Sequence, residues 1–180
     1  GGADSVCLLL MLCDYVKKHK MDICIHAVHV NHMIRQEAAD DENFTRKLCE
    51  SVGVDCYAAH IDCIGIAREK GLTVEEAGRL ERYRIFDEIA KKYKDDGGVM
   101  IAVAHHMNDQ AETVLMNMAR GTSLKGVRGI VPVRDNICRP LLCITRCQIE
   151  SVLSAKDQPY VTDVTNFDND YTRNAIRNVI

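Results

Sequence analysis

Extended apolar segments alternate with helical segments through residues 5–119, and this alternation restricts the possible folds more than any other feature. Three β-branched or apolar runs are bounded by polar residues or glycines, at 23–30, 54–61 and 99–106. Apolar residues at helical spacing predict helices before, between and after these runs. The predicted helices lie at 5–19, at 37–52, from the Thr73–Glu76 capping box to about Lys94, and from Asp109 to about Ala119. This order predicts an α/β fold, with a doubly wound, mainly parallel sheet and helices on both faces.

The alternation weakens after residue 120. A loop-rich stretch with a short extended piece leads to a modest helix at 145–156 and then to a polar segment with a helical end. We therefore predict a first domain over 1–134 and a small helical C-terminal extension over 135–180. No strand precedes Gly1, so we expect the first strand to be absent from this chain and the sheet to have a gap there.

Composition indicates a globular, soluble and reduced protein. Apolar residues make up 47% and charged residues 27%, and no apolar run is long enough to span a membrane. The nine cysteines include no C-x-x-C pair, which favours the cytoplasm over a disulfide framework. Residues 1–119 carry 14 basic and 20 acidic side chains, whereas residues 120–180 carry 9 basic and 6 acidic ones.

The chain opens with Gly1-Gly2-Ala3-Asp4-Ser5, directly before a helical segment. Glycines let backbone N–H groups approach a phosphate, and a helix N-terminus adds partial positive charge. The segment therefore predicts an anion site. The alternative is an expression scar followed by an ordinary N-cap.

The segment AHHMNDQAET contains His105, Asp109 and Glu112 at i, i+4 and i+7. They share one helix face if the helix begins at His105. Carboxylates there suit Mg²⁺, and a histidine suits phosphate contact or proton transfer. The alternative is a cap, with Asn108 or Asp109 as N-cap and Glu112 as its partner. A zinc site is less favoured because H-E-x-x-H is absent.

Histidines and cations cluster in four further segments. The loop at 120–129 suits contacts to the phosphates of a nucleotide or RNA, and its alternative is an ordinary surface loop. The segment at 29–35 places two histidines and an arginine at the end of a strand, where a lone histidine is usually part of the core. The segments at 75–84 and 172–178 present cations on a helix, and the alternative is an exposed helix, which is favoured for 75–84. The segments are HVNHMIR at 29–35, EEAGRLERYR at 75–84, RGTSLKGVRG at 120–129 and TRNAIRN at 172–178.

In this order the motifs resemble those of tRNA(Ile)-lysidine synthetase, a family of the PP-loop ATP pyrophosphatases. The superfamily signature is S-G-G-x-D-S, of which G-G-A-D-S is present here. The combination of AHHMNDQAET with RGT and a late RN-x-x-R is more specific than the PP-loop alone. Asn108 departs from the family, in which many members have Asp, so any metal role there depends on Asp109.

The resemblance implies that ATP and Mg²⁺ are used to join free lysine to C2 of the wobble cytidine of tRNA(Ile) with a CAU anticodon. The reaction passes through an adenylated cytidine and releases pyrophosphate and AMP. The family usually has a further C-terminal part that helps to bind tRNA, and we expect this chain to bind ATP better than tRNA. Whether the protein forms a homodimer stays an open question at this point.

The resemblance also implies roles for individual residues. The catalytic candidates are Asp4, His105, Asp109 and Glu112, of which Asp4 and Asp109 are also the candidate Mg²⁺ ligands. The ATP-binding candidates are Gly1, Gly2, Asp4, Ser5, His29 and Arg35. The candidates for binding tRNA or lysine are Arg79, Arg82, Arg120, Lys125, Arg139, Asn166, Arg173, Asn174 and Arg177.

Three alternatives remain open. A PP-loop tRNA thiolase also adenylates a base, but its cytidine-thiolating branch uses paired C-x-x-C cysteines. An amidotransferase-type synthetase matches fewer motifs. A non-catalytic ATP-binding module would keep the glycines without needing His105, Asp109 and Arg173 together.

Overall fold

A computed structural model describes residues 1–33, 38–93, 97–121 and 127–162. Contacts group the chain into two units: one contains Gly1 and Leu9–Val99, and the other contains Gly2–Leu8 and the described residues from Met100 onward. The predicted division into 1–134 and 135–180 stays a prediction. Outside the described residues lie the candidates Arg35, Lys125, Asn166, Arg173, Asn174 and Arg177, together with the predicted C-terminal helical end.

Helix α1 (Ala3–His19) begins directly after the two glycines. Its first turn contains Asp4, and its last turn contains Lys17, Lys18 and His19. This charge order complements the helix dipole, whose positive end is the N-terminus. The helix predicted over 5–19 is therefore confirmed, with a start two residues earlier.

The first unit contains a parallel strand–helix–strand motif. Strand β1 (His26–Asn31) pairs with β2 (Asp55–His60) in register from His26 with Asp55 to Asn31 with His60. Helix α2 (Ala38–Ser51) connects them. Parallel neighbours need such a crossover, so the predicted alternation is confirmed in this part of the chain.

Two further helices follow β2. Helix α3 (Cys63–Lys70) was not predicted, because it spans only eight residues between turn signals. It begins at the N-cap Asp62, and its C-cap Gly71 has a φ of 65°. Helix α4 (Val74–Lys92) begins with the predicted Thr73–Glu76 capping box. Ile61, Cys63 and Ile85 form the buried core of these elements.

Besides the start of α1, the described part of the second unit contains short strands and helical segments. The segments are β3 (Ile101–Ala102), α5 (Met107–Ala119), β4 (Val133–Arg134), β5 (Ile137–Cys138), a 3₁₀ turn (Pro140–Cys143) and α6 (Arg146–Ala155). Strand β5 pairs parallel with β3 and antiparallel with β4. The strand predicted over 99–106 is thus shorter than expected, although Val103 still donates its N–H to the carbonyl of Cys138 at 2.9 Å.

The α/β class with parallel strand pairing is confirmed. Gly2 adds an isolated parallel bridge to Val161 in the second unit. The gap expected for a strand before Gly1 stays a prediction. Within the described residues, no helix has the length and apolar character that crossing a bilayer requires.

Candidate active site

The start of α1 presents backbone donors at the glycine-rich segment. The first intrahelical hydrogen bond runs from the N–H of Val6 to the carbonyl of Gly2 at 3.0 Å, so the amides of Ala3–Ser5 precede the helical ladder. A Cβ on Gly2 would meet nothing nearer than the Val161 carbonyl oxygen at 4.0 Å. The backbone here is open to a ligand, and the helix dipole favours an anion.

Asp4 forms an ion pair with Arg146, a residue that the sequence analysis missed. Both Asp4 carboxylate oxygens accept from Nη1 of Arg146 at 2.8 Å. Nε of Arg146 donates to Glu150 Oε1 at 2.7 Å. Burial acts to lower the pKa of Arg146, but the hydrogen bonds and charges of Glu150 and Asp4 outweigh it, so this pKa lies above its usual value.

His106 lies between two carboxylates and is only 3% exposed. Its ring Nδ1 accepts the backbone N–H of Asn108 at 3.2 Å, and the backbone N–H of His106 donates to Asp109 Oδ2 at 2.9 Å. Since Nδ1 is an acceptor, the neutral ring carries its proton on Nε2. That Nε2 lies 3.7 Å from Asp4 Oδ1 and 3.5 Å from Asp109 Oδ2.

This geometry corrects two expectations. Helix α5 begins at Met107 instead of His105, so His105 does not share a helix face with Asp109 and Glu112. The N-cap is His106 with Asp109 as its capping-box partner, so the expected cap on Asn108 or Asp109 is wrong. N-cap preference favours Asn and Asp, and only the tertiary contacts of His106 override it. Glu112 is 1% exposed on α5.

Asn108 connects the starts of α5 and α6. Its side-chain Oδ1 accepts the backbone N–H of Arg146 at 3.0 Å, and the N–H of Met107 donates to the carbonyl of Ile144 at 2.8 Å. The amide therefore has a structural contact at the position where the resemblance leads one to expect a carboxylate. Arg146 thereby receives a fixed backbone position as well as two acidic partners.

One sequence signal pointed to Arg146. The Thr145–Gln148 capping box marks the start of α6, and Arg146 is its first residue. A cation in a first helical turn opposes the helix dipole, so it needs a nearby anion. The signal indicates that Arg146 has a partner, but it does not identify Asp4, which lies more than a hundred residues away.

The carboxylates of Asp4 and Asp109 fit a magnesium ion only if phosphate oxygens complete its coordination. In the described part of the chain, no three His, Cys, Asp or Glu side chains form a metal cage. Mg²⁺ in nucleotide sites commonly takes one or two carboxylates plus phosphate oxygens. Asp4 and Asp109, on either side of His106 Nε2, match that donor set, although Asp4 is already paired with Arg146.

Two further second-unit candidates, Arg120 and Arg139, have contacts of their own, distinct from the cluster of Asp4, His106, Asp109 and Arg146. Arg120 is exposed and caps the C-terminus of α5. Arg139 is buried, and its Nη1 donates to the Val131 carbonyl at 2.8 Å, which holds the segment before β4. Their roles in binding tRNA or lysine stay predictions.

The first-unit candidates lie on β1 and α4. His29 Nδ1 is 3.4 Å from the Thr45 hydroxyl, and burial lowers the pKa of this histidine. The exposed Arg79 lies over the Tyr83 ring at 5.8 Å from its centroid. Arg82 Nη2 is 3.2 Å from Nε2 of His32, a histidine of the HVNH segment. No observation tests the predicted roles of these residues.

Comparison with known families identifies the domain. The sequence matches the PP-loop domain along residues 1–180. The chain belongs to the PP-loop domain family. The PP-loop domain indicates ATP binding, and the α/β assignment agrees with it. That the glycine segment holds the phosphates stays a prediction.

Curated relatives confirm the more specific resemblance. The chain is 44% identical over 179 residues to a tRNA(Ile)-lysidine synthase of Clostridium acetobutylicum, covering 98% of this chain and 38% of that protein. For the enzyme of the same name from Clostridioides difficile the identity is 45%, with the same coverage. For that of Thermosipho africanus it is 41%, covering 100% of this chain and 41% of the relative. The chain therefore spans well under half the length of these relatives.

A solved structure supports the fold. The U34-tRNA thiolase of Methanococcus maripaludis, solved with its iron–sulfur cluster, superimposes with a TM-score of 0.73 at 18% identity. The match covers 99% of this chain and 62% of the thiolase. At this identity the likeness establishes the shared architecture.

Proposed function

We propose that this protein joins lysine to the wobble cytidine of tRNA(Ile) with a CAU anticodon, using ATP. The identity of 41–45% to lysidine synthases over essentially the whole chain carries the proposal. The cluster around Asp4 supports it, because a phosphate-binding helix start and two carboxylates meet there. Partners and location follow from the reaction: tRNA(Ile), free lysine and the cytoplasm.

The start of α1 binds the phosphates. The amides of Ala3–Ser5 and the exposed Ser5 hydroxyl donate to phosphate oxygens, and the helix dipole stabilises their charge. The cytidine C2 oxygen attacks the α-phosphorus, and pyrophosphate leaves with additional negative charge. Fixed donors directed at that charge lower the barrier without reorganising during the reaction.

Asp4 and Asp109 would hold Mg²⁺ against the phosphates. The ion supplies electrostatic stabilisation of the phosphate oxygens when bound. Nε2–H of His106 faces both carboxylates, and Arg146 offsets the charge of Asp4. Without that cation, the Asp4 carboxylate would repel an incoming triphosphate.

Lysine attack completes the reaction. The lysine amine bonds to C2 of the adenylated cytidine, AMP leaves with the C2 oxygen, and the amine loses its proton to a base that we do not assign. We propose His105 and Glu112 as further catalytic groups, and Arg79, Arg82, Arg120 and Arg139 as contacts to tRNA or lysine.

The test is incorporation of labelled lysine into RNA. The protein is incubated with ATP, Mg²⁺, labelled lysine and CAU-anticodon tRNA(Ile), and lysine bound to RNA is counted. We expect stable incorporation that depends on ATP and disappears when the wobble cytidine is replaced by uridine.

The alternatives predict other results. A thiolase would add sulfur instead of lysine, and an ATP-binding module would bind nucleotide without modifying RNA. The proposal is wrong if no lysine is incorporated either by this chain or by a form extended to the length of its relatives.

A further inference from the structure

Three side chains of the first unit form a hydrogen-bonded row, of which the proposed function uses only Arg82. His32 follows β1, Cys63 opens α3, and Arg82 lies in α4. His32 Nδ1 lies 3.1 Å from Cys63 Sγ, and its Nε2 lies 3.2 Å from Arg82 Nη2. One imidazole thus bridges two helices.

The chemistry of the row determines which nitrogen carries the proton. A guanidinium only donates, so His32 Nε2 must accept from Arg82. The neutral ring then carries its proton on Nδ1, which donates to Cys63 Sγ. Burial, together with the charges of Arg82 and His29, lowers the pKa of His32, which agrees with a neutral ring. Burial also raises the pKa of the Cys63 thiol, which keeps it uncharged.

A glycine leaves room for this arrangement. Gly78 is buried inside α4, and a Cβ there would lie 3.3 Å from Cys63 Sγ and 3.4 Å from Cε1 and Nδ1 of His32. The distance to Cys63 Sγ is tighter than ordinary van der Waals contact, and the distances to the ring are at the lower limit of such contact. A side chain at position 78 would therefore crowd Cys63 and the ring that contacts Arg82.

The carboxylate next to Arg82 in the chain, Glu81, pairs with Arg84 and Lys70. Burial has the largest effect on the pKa of Arg82 and outweighs the charge of Glu75, which acts to raise it. Arg82 itself donates to the uncharged His32 ring. Burial lowers the pKa of Arg82, so the cation is partly desolvated already and an oxyanion would stabilise it.

We propose that His32, anchored by Cys63, is a positioning residue that holds the Arg82 guanidinium as a receptor for an oxyanion of the substrate. That oxyanion is a phosphodiester of the tRNA or the carboxylate of lysine. The inference rests on the proposed function, which assigns Arg82 to tRNA or lysine, and adds how Arg82 is held.

The test compares His32→Ala, His32→Gln and Arg82→Gln, with Arg84→Gln as the matched arginine control on the same helix. Two quantities are measured: the Kd for CAU-anticodon tRNA(Ile) without lysine, and the KM for lysine. We expect His32→Ala and Arg82→Gln to act on the same quantity, either the Kd for tRNA or the KM for lysine. Both variants should raise that quantity about tenfold, with kcat nearly unchanged. A raised Kd identifies the phosphodiester, and a raised KM identifies the carboxylate.

The conservative variant and the double variant separate positioning from general damage. Gln at position 32 can still accept from Arg82, so His32→Gln should keep most of the binding. The double variant His32→Ala with Arg82→Gln should be no weaker than Arg82→Gln alone, because both act on one contact. Thermal unfolding identifies variants that are merely destabilised. Unchanged Kd and KM in His32→Ala, or additive losses in the double variant, overturn the proposal.

A nuclear magnetic resonance titration needs no enzymatic turnover. Arg82→Gln removes a positive charge beside the ring, so the pKa of His32 should rise relative to the unmodified protein, whereas Arg84→Gln should leave it unchanged. The same pKa in all three proteins contradicts the proposed row. If none of the proteins joins lysine, the proposed function fails, and the titration and the tRNA Kd still decide the role of His32.

Discussion

Asp4 and Arg146 are 142 positions apart in the chain, yet Nη1 of Arg146 lies 2.8 Å from both oxygens of the Asp4 carboxylate. The pair joins the first turn of α1 to the first residue of α6. It places a compensated carboxylate at the helix start that we propose as the phosphate site. If the proposed phosphate site is right, Arg146 affects phosphate binding through Asp4.

Arg146→Gln should weaken ATP binding. Loss of the guanidinium leaves the Asp4 charge uncompensated beside the phosphates and frees its carboxylate to rotate. We expect the Kd for ATP, measured by calorimetry, to rise about tenfold, which corresponds to about 1.4 kcal/mol. Glu150→Gln is the matched control, because Glu150 contacts Arg146 but not Asp4. Equal affinities in Arg146→Gln and the unmodified protein would show that the pair has no part in nucleotide binding.

Asp109→Asn should abolish adenylation and leave the fold intact. An Asn oxygen can still accept the N–H of His106, which Asp109 Oδ2 accepts at 2.9 Å, so α5 keeps its cap. The charge beside His106 Nε2 and the candidate metal ligand are lost. Thermal unfolding should change little, whereas ATP-dependent pyrophosphate release in the presence of tRNA should stop. Retained turnover would remove Asp109 from the catalytic residues.

Gly129→Ala should destabilise the protein by about 2 kcal/mol or more. Gly129 has a φ of +63°, and an added Cβ would lie 2.6 Å from Gln110 Oε1 and 2.8 Å from Val114 Cγ2. Gln110 also binds the backbone on either side, at the Arg128 carbonyl and the Ile130 N–H.

Gly71→Ala is the control for the Gly129 variant. Gly71 has a φ of +65° and nothing within 4 Å of the added Cβ, so only backbone strain of about 1 kcal/mol is expected. Urea unfolding measures both variants. Equal losses would mean that the steric contacts at Gly129 relax without cost.

Glu81→Gln should reduce the loss of stability on acidification. Hydrogen bonds from Arg84 and then Lys70 hold the pKa of this 8%-exposed carboxylate below its usual value. A lowered folded-state pKa contributes stability that is present above the unfolded pKa of about 4.3 and lost as the pH falls through the folded value. Urea unfolding at about pH 6 and about pH 3.5 should therefore show a smaller difference in Glu81→Gln than in the unmodified protein. If the free energy of unfolding changes equally between the two pH values in both proteins, the pKa of Glu81 is not lowered by folding.

Local patterns in the sequence predicted the elements of the fold. Strand periodicity located β1 and β2, and the Thr73–Glu76 capping box located the start of α4, because both signals depend on neighbours within a few residues. Helix α3 was not predicted, because eight residues are too few to show a clear helical periodicity of apolar residues. The order of motifs also identified the family, which the match along the whole chain confirms.

The sequence by itself thus determined the α/β class, the family and the position of the helix start that we propose for the phosphates. The tertiary structure decided which side chains meet there. It selected His106 over Asn108 as the cap of α5, and it gave Asp4 its partner, Arg146. The physical reason is range: caps and periodicity are interactions within one or two turns, whereas a hydrogen bond between distant segments depends on how the helices pack, which no local pattern specifies.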